Sequence, residues 1–213
     1  MELILQDIGK QFNRQWIFSG INFHIHSKTS TAIIGNNGTG KSTLIQLLYN
    51  FQTQSKGTIS YLLNQQEIAN ELVASHISFV SPYLELPEEF TLNELIQFHF
   101  QLRAKNNLFE LHSLLKEVQL IGNEHKYIKH FSSGMKQKLK LILAFCSQTD
   151  LLLLDEPCSN LDEESIEWYR KCIQKIKGSK TIVIASNMKD EYDFCEQELD
   201  IRNFIAKKQV SFL

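Results

Sequence analysis

Apolar residues in the first third of the chain recur with the alternation of strands. Leu3, Leu5 and Ile8 mark a β-prone opening. Ile21, Phe23 and Ile25 alternate with Asn22, His24 and His26, as a strand with one buried face requires. Thr31 to Ile34 is short, β-branched and apolar, and it runs directly into a glycine-rich loop. The pattern predicts a helix from about Lys41 to Asn50, then strands over Gly57 to Leu62 and Ile77 to Val80.

From Thr91 to about Ile128 the period changes. Leu92, Leu95, Ile96, Phe98 and Leu102 recur near helical spacing, as do Leu111, Leu114, Leu115 and Val118. Ser133 to Ser147 predicts another helix, with Met135, Leu139, Ile142, Leu143 and Phe145 apolar. These helices predict a small helical subdomain, about residues 91–147, inserted into an α/β core. Leu151 to Leu154 is wholly apolar, as a buried parallel strand requires. A helix over Glu163 to Lys177 and a buried strand over Thr181 to Ala185 follow. Strands alternating with helices favour a mostly parallel sheet.

The loop after Ile34 carries the first candidate chemistry. Gly35-Asn36-Asn37-Gly38-Thr39-Gly40-Lys41-Ser42-Thr43 fits the pattern G-x-x-x-x-G-K-[ST]. Glycines let the backbone fold around an anion with several N–H groups pointing inward. The helix beginning near Lys41 adds the positive end of its dipole. Lys41 can reach the β- and γ-phosphates of a nucleotide, and Ser42 offers an oxygen to Mg²⁺. A strand before the loop and a helix after it are the context this motif needs.

The apolar strand Leu151 to Leu154 ends in Asp155 and Glu156. An aspartate there can hold the Mg²⁺ shell beside the phosphates. Glu156 is placed to orient or deprotonate an attacking water, which makes it the candidate catalytic residue. A strand end with solvated acids is the plain alternative, and the phosphate loop decides against it.

Composition adds bounds. The chain has 213 residues, 43% of them apolar, enough for one domain with a full core or a core domain with a small subdomain. Net charge is −2, with a sequence pI near 6.4, so the basic footprint of a nucleic-acid partner is missing. No apolar run is long enough to span a bilayer, and the opening residues lack the pattern of a secretory signal. Cys146, Cys158, Cys172 and Cys195 form no close pair and read as idle thiols. His24 and His26 are the one histidine pair near metal-ligand spacing, and they read as neighbours on one strand face and not as a zinc site.

With these motifs in place, the chain resembles the ATP-binding subunits of ABC transporters over nearly its whole length. Phe131-Ser132-Ser133-Gly134-Met135-Lys136-Gln137-Lys138 resembles the family's signature segment, usually LSGGQ, here in the SSGM form often seen in exporter-type members. Ser159-Asn160-Leu161-Asp162 resembles the D-loop that follows the acidic pair. The chain's size and signature are similar to those of single-domain drug-exporter and haem-exporter ATPases. The resemblance implies that residues 1–213 form one nucleotide-binding domain. It implies a P-loop NTPase core, an N-terminal antiparallel β subdomain and an inserted α-helical subdomain. It further implies an ATPase, with Mg²⁺ held through Ser42 and Asp155, that drives a separate transmembrane permease subunit from the cytoplasmic face of the cell membrane.

By the same resemblance, two copies pack head to tail around two ATP molecules, and Ser132, Ser133 and Gly134 of one copy reach the γ-phosphate held by the other. Ser133 opens a helix whose N–H groups suit an anion, while Ser132 serves equally as a helix N-cap. Asp162 falls in the D-loop. Phe12 matches the aromatic position that stacks on adenine, with Trp16 a second candidate, and ordinary packing remains the alternative for both. The segment from Pro82 to Phe90 matches the neighbourhood that meets the permease. Tyr83, Leu84, Leu86 and Phe90 are expected to form that dock, with Glu85, Glu88 and Glu89 meeting basic residues.

The family pattern breaks in two places. Pro82 stands where the Q-loop glutamine is usual, and proline has no side-chain donor or acceptor, which leaves Ser81 or Tyr83 to substitute. Asn187 stands where the H-loop histidine is usual. Asparagine can hydrogen-bond a phosphate oxygen but cannot carry a proton near neutral pH. The expected enzyme is a slow ATPase or, as the alternative, a nucleotide-gated switch with little steady-state hydrolysis. One motor set and a short stretch between phosphate loop and signature disfavour the soluble ABC proteins that act on ribosomes or DNA.

Overall fold

A computed structural model describes residues 1–205. Strand β1 (Glu2–Phe12) turns back into β2 (Gln15–Ile25) through Asn13 and Arg14. Both turn residues take positive φ, 48° and 64°, the two-residue turn whose twist suits a hairpin. After β3 (Ser30–Ile34) and helix α1 (Lys41–Leu48), strand β4 (Lys56–Leu63) pairs with the free edge of β1, and β5 (Gln66–Glu67) closes a four-stranded antiparallel sheet in the order β2-β1-β4-β5. Helix α1 ends two residues before the expected Asn50, which takes φ of 61° and so leaves the helical path.

The second sheet has five strands. A one-turn helix α2 (Asn70–Val73) leads to β6 (Ile77–Val80), and β7 (Leu151–Asp155), β8 (Thr181–Ser186) and β9 (Gln197–Asp200) complete the set. The order is β6-β7-β8-β3-β9, and every neighbouring pair is parallel. Strand β9 is absent from the sequence expectation, because its four residues carry three polar side chains and only pairing with β3 makes them a strand.

Alternate residues of this sheet feed two cores. Leu151, Leu153, Val183 and Ala185 pack with α1 and with Leu3, Leu5, Ile8 and Ile21 of the antiparallel sheet. Leu152, Leu154, Ile182 and Ile184 pack with helices α3 (Leu92–Leu102), α4 (Leu111–Glu117), α5 (Ser133–Cys146) and α6 (Glu163–Ile176). Leu151 to Leu154 are each 0% exposed, and burying one leucine side chain contributes about 1.5–3 kcal/mol. Strand β7 is thus pinned from both sides, which fixes the acidic pair at its end. The N-terminus of α3 is set by a capping box: Thr91 Oγ1 accepts from Glu94 N, and a Glu94 oxygen accepts from Thr91 N.

All four cysteines are free, and burial pushes their thiols up, Cys146 to about 11. Among the described residues, no helix is long and apolar enough to cross a membrane.

Candidate functional site

Strand β3 delivers the chain into the loop, and α1 carries it away. Gly40 is the N-cap of α1 at φ 99°, where a side chain would be strained, and an added Cβ would lie 2.6 Å from Ile17 Cγ2. No side chain caps this helix, so the N–H groups of its first turn point into the loop without a local partner. Thr39 closes the loop on itself, its hydroxyl donating to the Asn36 carbonyl at 2.7 Å. Lys41 is 5% exposed, and its ammonium is held over the loop by the carbonyls of Gly35 at 2.9 Å and Asn36 at 3.2 Å.

The acidic pair meets this loop through Ser42, whose hydroxyl donates to Asp155 Oδ1 at 3.0 Å. Asp155 is buried, and burial pushes its carboxyl up to about 6; Glu156 adds to the rise, while the Ser42 and Ser81 hydroxyls and Lys41 oppose it. A buried carboxylate beside a hydroxyl is an oxygen donor set that fits Mg²⁺, which takes one or two carboxylates together with phosphate oxygens and water. A cation there would offset the desolvation that raises Asp155. Glu156 follows at φ 43°, and its N–H donates to the Ala185 carbonyl at 2.9 Å, bending the chain off β7 across the end of β8. Just beyond β8, Asn187 donates its amide to Asn37 Oδ1 in the loop at 2.9 Å.

Ser81, which follows β6, is buried against Asp155, whereas Tyr83 is 82% exposed. Of Ser81 and Tyr83, Ser81 is therefore the one the structure brings to the acidic pair. Lys140 of α5, which sequence reasoning passed over, holds this segment. Its ammonium, 6% exposed, donates to the carbonyls of Ser81 at 2.7 Å and of Pro82 and Leu84 at 3.3 Å each. Burial and nearby Lys136 bring the Lys140 ammonium down to about 8. The available signal was a lysine on the apolar face of a helix, three residues after the equally buried Gln137.

The signature and D-loop segments lie against each other. Ser132 caps α5, accepting from Met135 N at 3.2 Å. Gly134 packs so close to the second segment that a Cβ would sit 2.8 Å from the Asn160 carbonyl. Gln137 donates to the Pro157 carbonyl at 2.7 Å, and Lys138 lies 3.6 Å from Asp162, which caps α6 by accepting from Ser165 N at 2.9 Å. Among the described residues, no hydrogen bond or ion pair joins Ser132, Ser133 or Gly134 to the phosphate loop. Phe12 is 45% exposed at the hairpin turn, under the Lys10 ammonium at 4.9 Å, and Trp16 is also exposed.

An apolar groove of 360 Å³ opens between the parallel sheet and the helical insert, lined by Tyr49, Phe79, Tyr83, Leu84 and Leu86 among others. Two residues expected at this dock are committed within the chain. Phe90 packs edge-on against Phe98 at 5.5 Å and joins the helical core, because its ring finds apolar neighbours there. Glu88 pairs with Lys136 at 2.6 Å, which holds its carboxyl below the usual range.

The family described as ABC transporter matches residues 18–159, and the chain belongs to that family. It is 31% identical over 196 residues to the Nod factor export ATP-binding protein I of Neorhizobium galegae, covering 90% of this chain and 56% of that protein. It is 29% identical over 196 residues to the sulfate/thiosulfate import ATP-binding protein CysA of Mesostigma viride, again covering 90% and 56%. The chain thus spans about half the length of these two curated relatives. Among solved structures, the ABC transporter cassette MJ0796, solved as a dimer, superposes with a TM-score of 0.79 at 17% identity over 93% of each chain. The fold is that of an ABC ATPase cassette.

Proposed function

We propose that this chain binds Mg·ATP in the loop Gly35 to Thr43, hydrolyses it slowly, and powers a transmembrane permease. The observation that carries this reading is the bond from Ser42 to Asp155, which joins the phosphate loop to the acidic strand end. The amides of Gly38 to Thr43 and the Lys41 ammonium grip the phosphates, and Asn36 and Asn37 shape the loop. Ser42 and Asp155 hold Mg²⁺, which when bound neutralises charge on the phosphate oxygens. Glu156 accepts a proton from the water that attacks the γ-phosphorus, as the bond to the ADP oxygen breaks and phosphate leaves. Phe12 stacks on adenine.

Two copies close head to tail, with Ser132, Ser133 and Gly134 of one presented to the nucleotide of the other and Asp162 in the D-loop between them. MJ0796, which shares the fold, was solved as a dimer. The apolar groove receives a segment of the permease, with Glu85 and Glu89 of the adjoining cleft beside it, and through this contact the chain sits on the cytoplasmic face of the membrane. Export is the proposed direction, resting on the SSGM form of the signature. Its relatives include an export and an import protein.

The contact of Asn187 with the loop favours a second reading, a nucleotide-gated switch. It supplies a polar contact but no proton relay, so closure is retained while turnover is slow. The test is gel filtration of a Glu156→Gln variant with saturating Mg·ATP. A dimer that forms only with nucleotide is expected, and a persistent monomer contradicts the sandwich.

A further inference from the structure

The outer face of the antiparallel sheet carries a cluster that the nucleotide site does not use. Residues two apart on a strand share a face. His24, near the end of β2, and His26, one residue past it, do so, and Glu2 opens the neighbouring strand β1. The register sets Ile4 opposite His24 and Leu3 opposite Ile25, which brings Glu2 opposite His26. One ligating atom from each of the three side chains lies within 4.8 Å of the other two. Glu2 Oε1 is 2.5 Å from His24 Nε2, and the two imidazole rings sit 4.0 Å apart between centroids. A plain pairing of Glu2 with His24 accounts for two of these groups but not for His26 turned against them.

The backbone beneath the cluster is well fixed. Strand β1 is paired on both edges. The His26 carbonyl accepts from the Thr29 hydroxyl at 2.8 Å, and the His24 carbonyl accepts from Gln197 at 3.4 Å. The side chains themselves face solvent, with His24 41% and Glu2 26% exposed, so an ion reaches them directly.

We propose that Glu2, His24 and His26 bind a divalent transition-metal ion of the Zn²⁺ type. Two imidazole nitrogens and a carboxylate oxygen form a donor set that suits Zn²⁺, whereas Mg²⁺ and Ca²⁺ prefer oxygen alone. Tetrahedral zinc holds its ligands about 2.0–2.1 Å away and so about 3.3 Å from one another. The ion would replace the proton shared by Glu2 and His24, so that pair must open from 2.5 Å while His26, whose ligating atom lies within 4.8 Å of both, swings in; both movements are side-chain rotations of solvent-facing groups. Three protein ligands leave a fourth position for water. The ion ties the start of β1 to the end of β2, at the far end of the strand from Phe12, about 30 Å of extended chain away. Its binding therefore adds stability by mass action and leaves ATP turnover unchanged.

The test is calorimetric titration of the full chain with ZnCl₂ in excess Mg²⁺. One saturable Zn²⁺ is expected. Its affinity should fall by more than about tenfold in His24→Ala and in His26→Ala, since losing even an outer-shell partner costs about 10–100-fold. The exposed His125→Ala should bind as the wild type does. Should either histidine variant fail to fold, Zn²⁺ should still protect His24 and His26 of the wild-type chain from diethylpyrocarbonate, read by mass spectrometry. Absence of saturable Zn²⁺ binding, affinity unchanged in both folded variants, or equal labelling with and without Zn²⁺ overturns the proposal.

Discussion

The side-chain amide of Asn187 donates to the side-chain oxygen of Asn37 at 2.9 Å, joining the end of the β8 strand to the phosphate loop across 150 residues of sequence. Position 187 therefore sits against the phosphate loop, and its chemistry limits what it can do there. One polar contact in a reacting site commands about 10²–10³ in turnover. Asn187→His is expected to raise kcat by at least about tenfold, measured as steady-state phosphate release. An unchanged kcat means that this position does not limit the chemistry.

Asp155 gives a pH dependence with a definite sign. Burial raises its carboxyl from 3.8 to about 6, so the folded chain binds a proton that the unfolded chain has released across that window. Stability from this group is therefore lost as pH rises from about 4 to 6, and the loss persists above it. Asp155→Asn removes the buried charge while keeping an oxygen to accept from Ser42. At pH 7 without Mg²⁺ it is expected to be more stable than the wild type by on the order of 1–3 kcal/mol in urea unfolding. The gap should close near pH 4. A variant less stable at pH 7 contradicts this reading of the carboxyl.

The apolar groove and the acidic cleft beside it are expected to make the permease contact. Charge reversal at Glu85 and Glu89 should weaken co-purification with the transmembrane subunit and leave ATP binding intact. Glu88 is excluded from the test, because it already pairs with Lys136. Full assembly of the doubly reversed chain contradicts the dock.

The parts of this molecule that sequence alone made legible are those written in local patterns. The loop Gly35 to Ser42, the apolar run into Asp155 and the helical periods of the insert are each contained in a few neighbouring residues, and the fold places them as expected. What stayed hidden depends on partners distant along the chain. Lys140 reads as one lysine in an apolar helix until the carbonyls of Ser81, Pro82 and Leu84 surround it. Strand β9 exists because β3 offers it an edge. Glu2 joins His24 and His26 only through cross-strand register. Phe90 reads as a surface anchor from its neighbours in sequence, but it packs edge-on against Phe98 and onto the helical core of its own chain.

Main-chain amides and the Lys41 ammonium are expected to close on a triphosphate, and calorimetric titration with Mg·ATP tests that directly. The wild-type chain is expected to bind one nucleotide per chain, and Lys41→Ala to lose most of that affinity while remaining folded. A wild-type titration without heat of binding, or a Lys41→Ala chain that binds as tightly as the wild type, contradicts it.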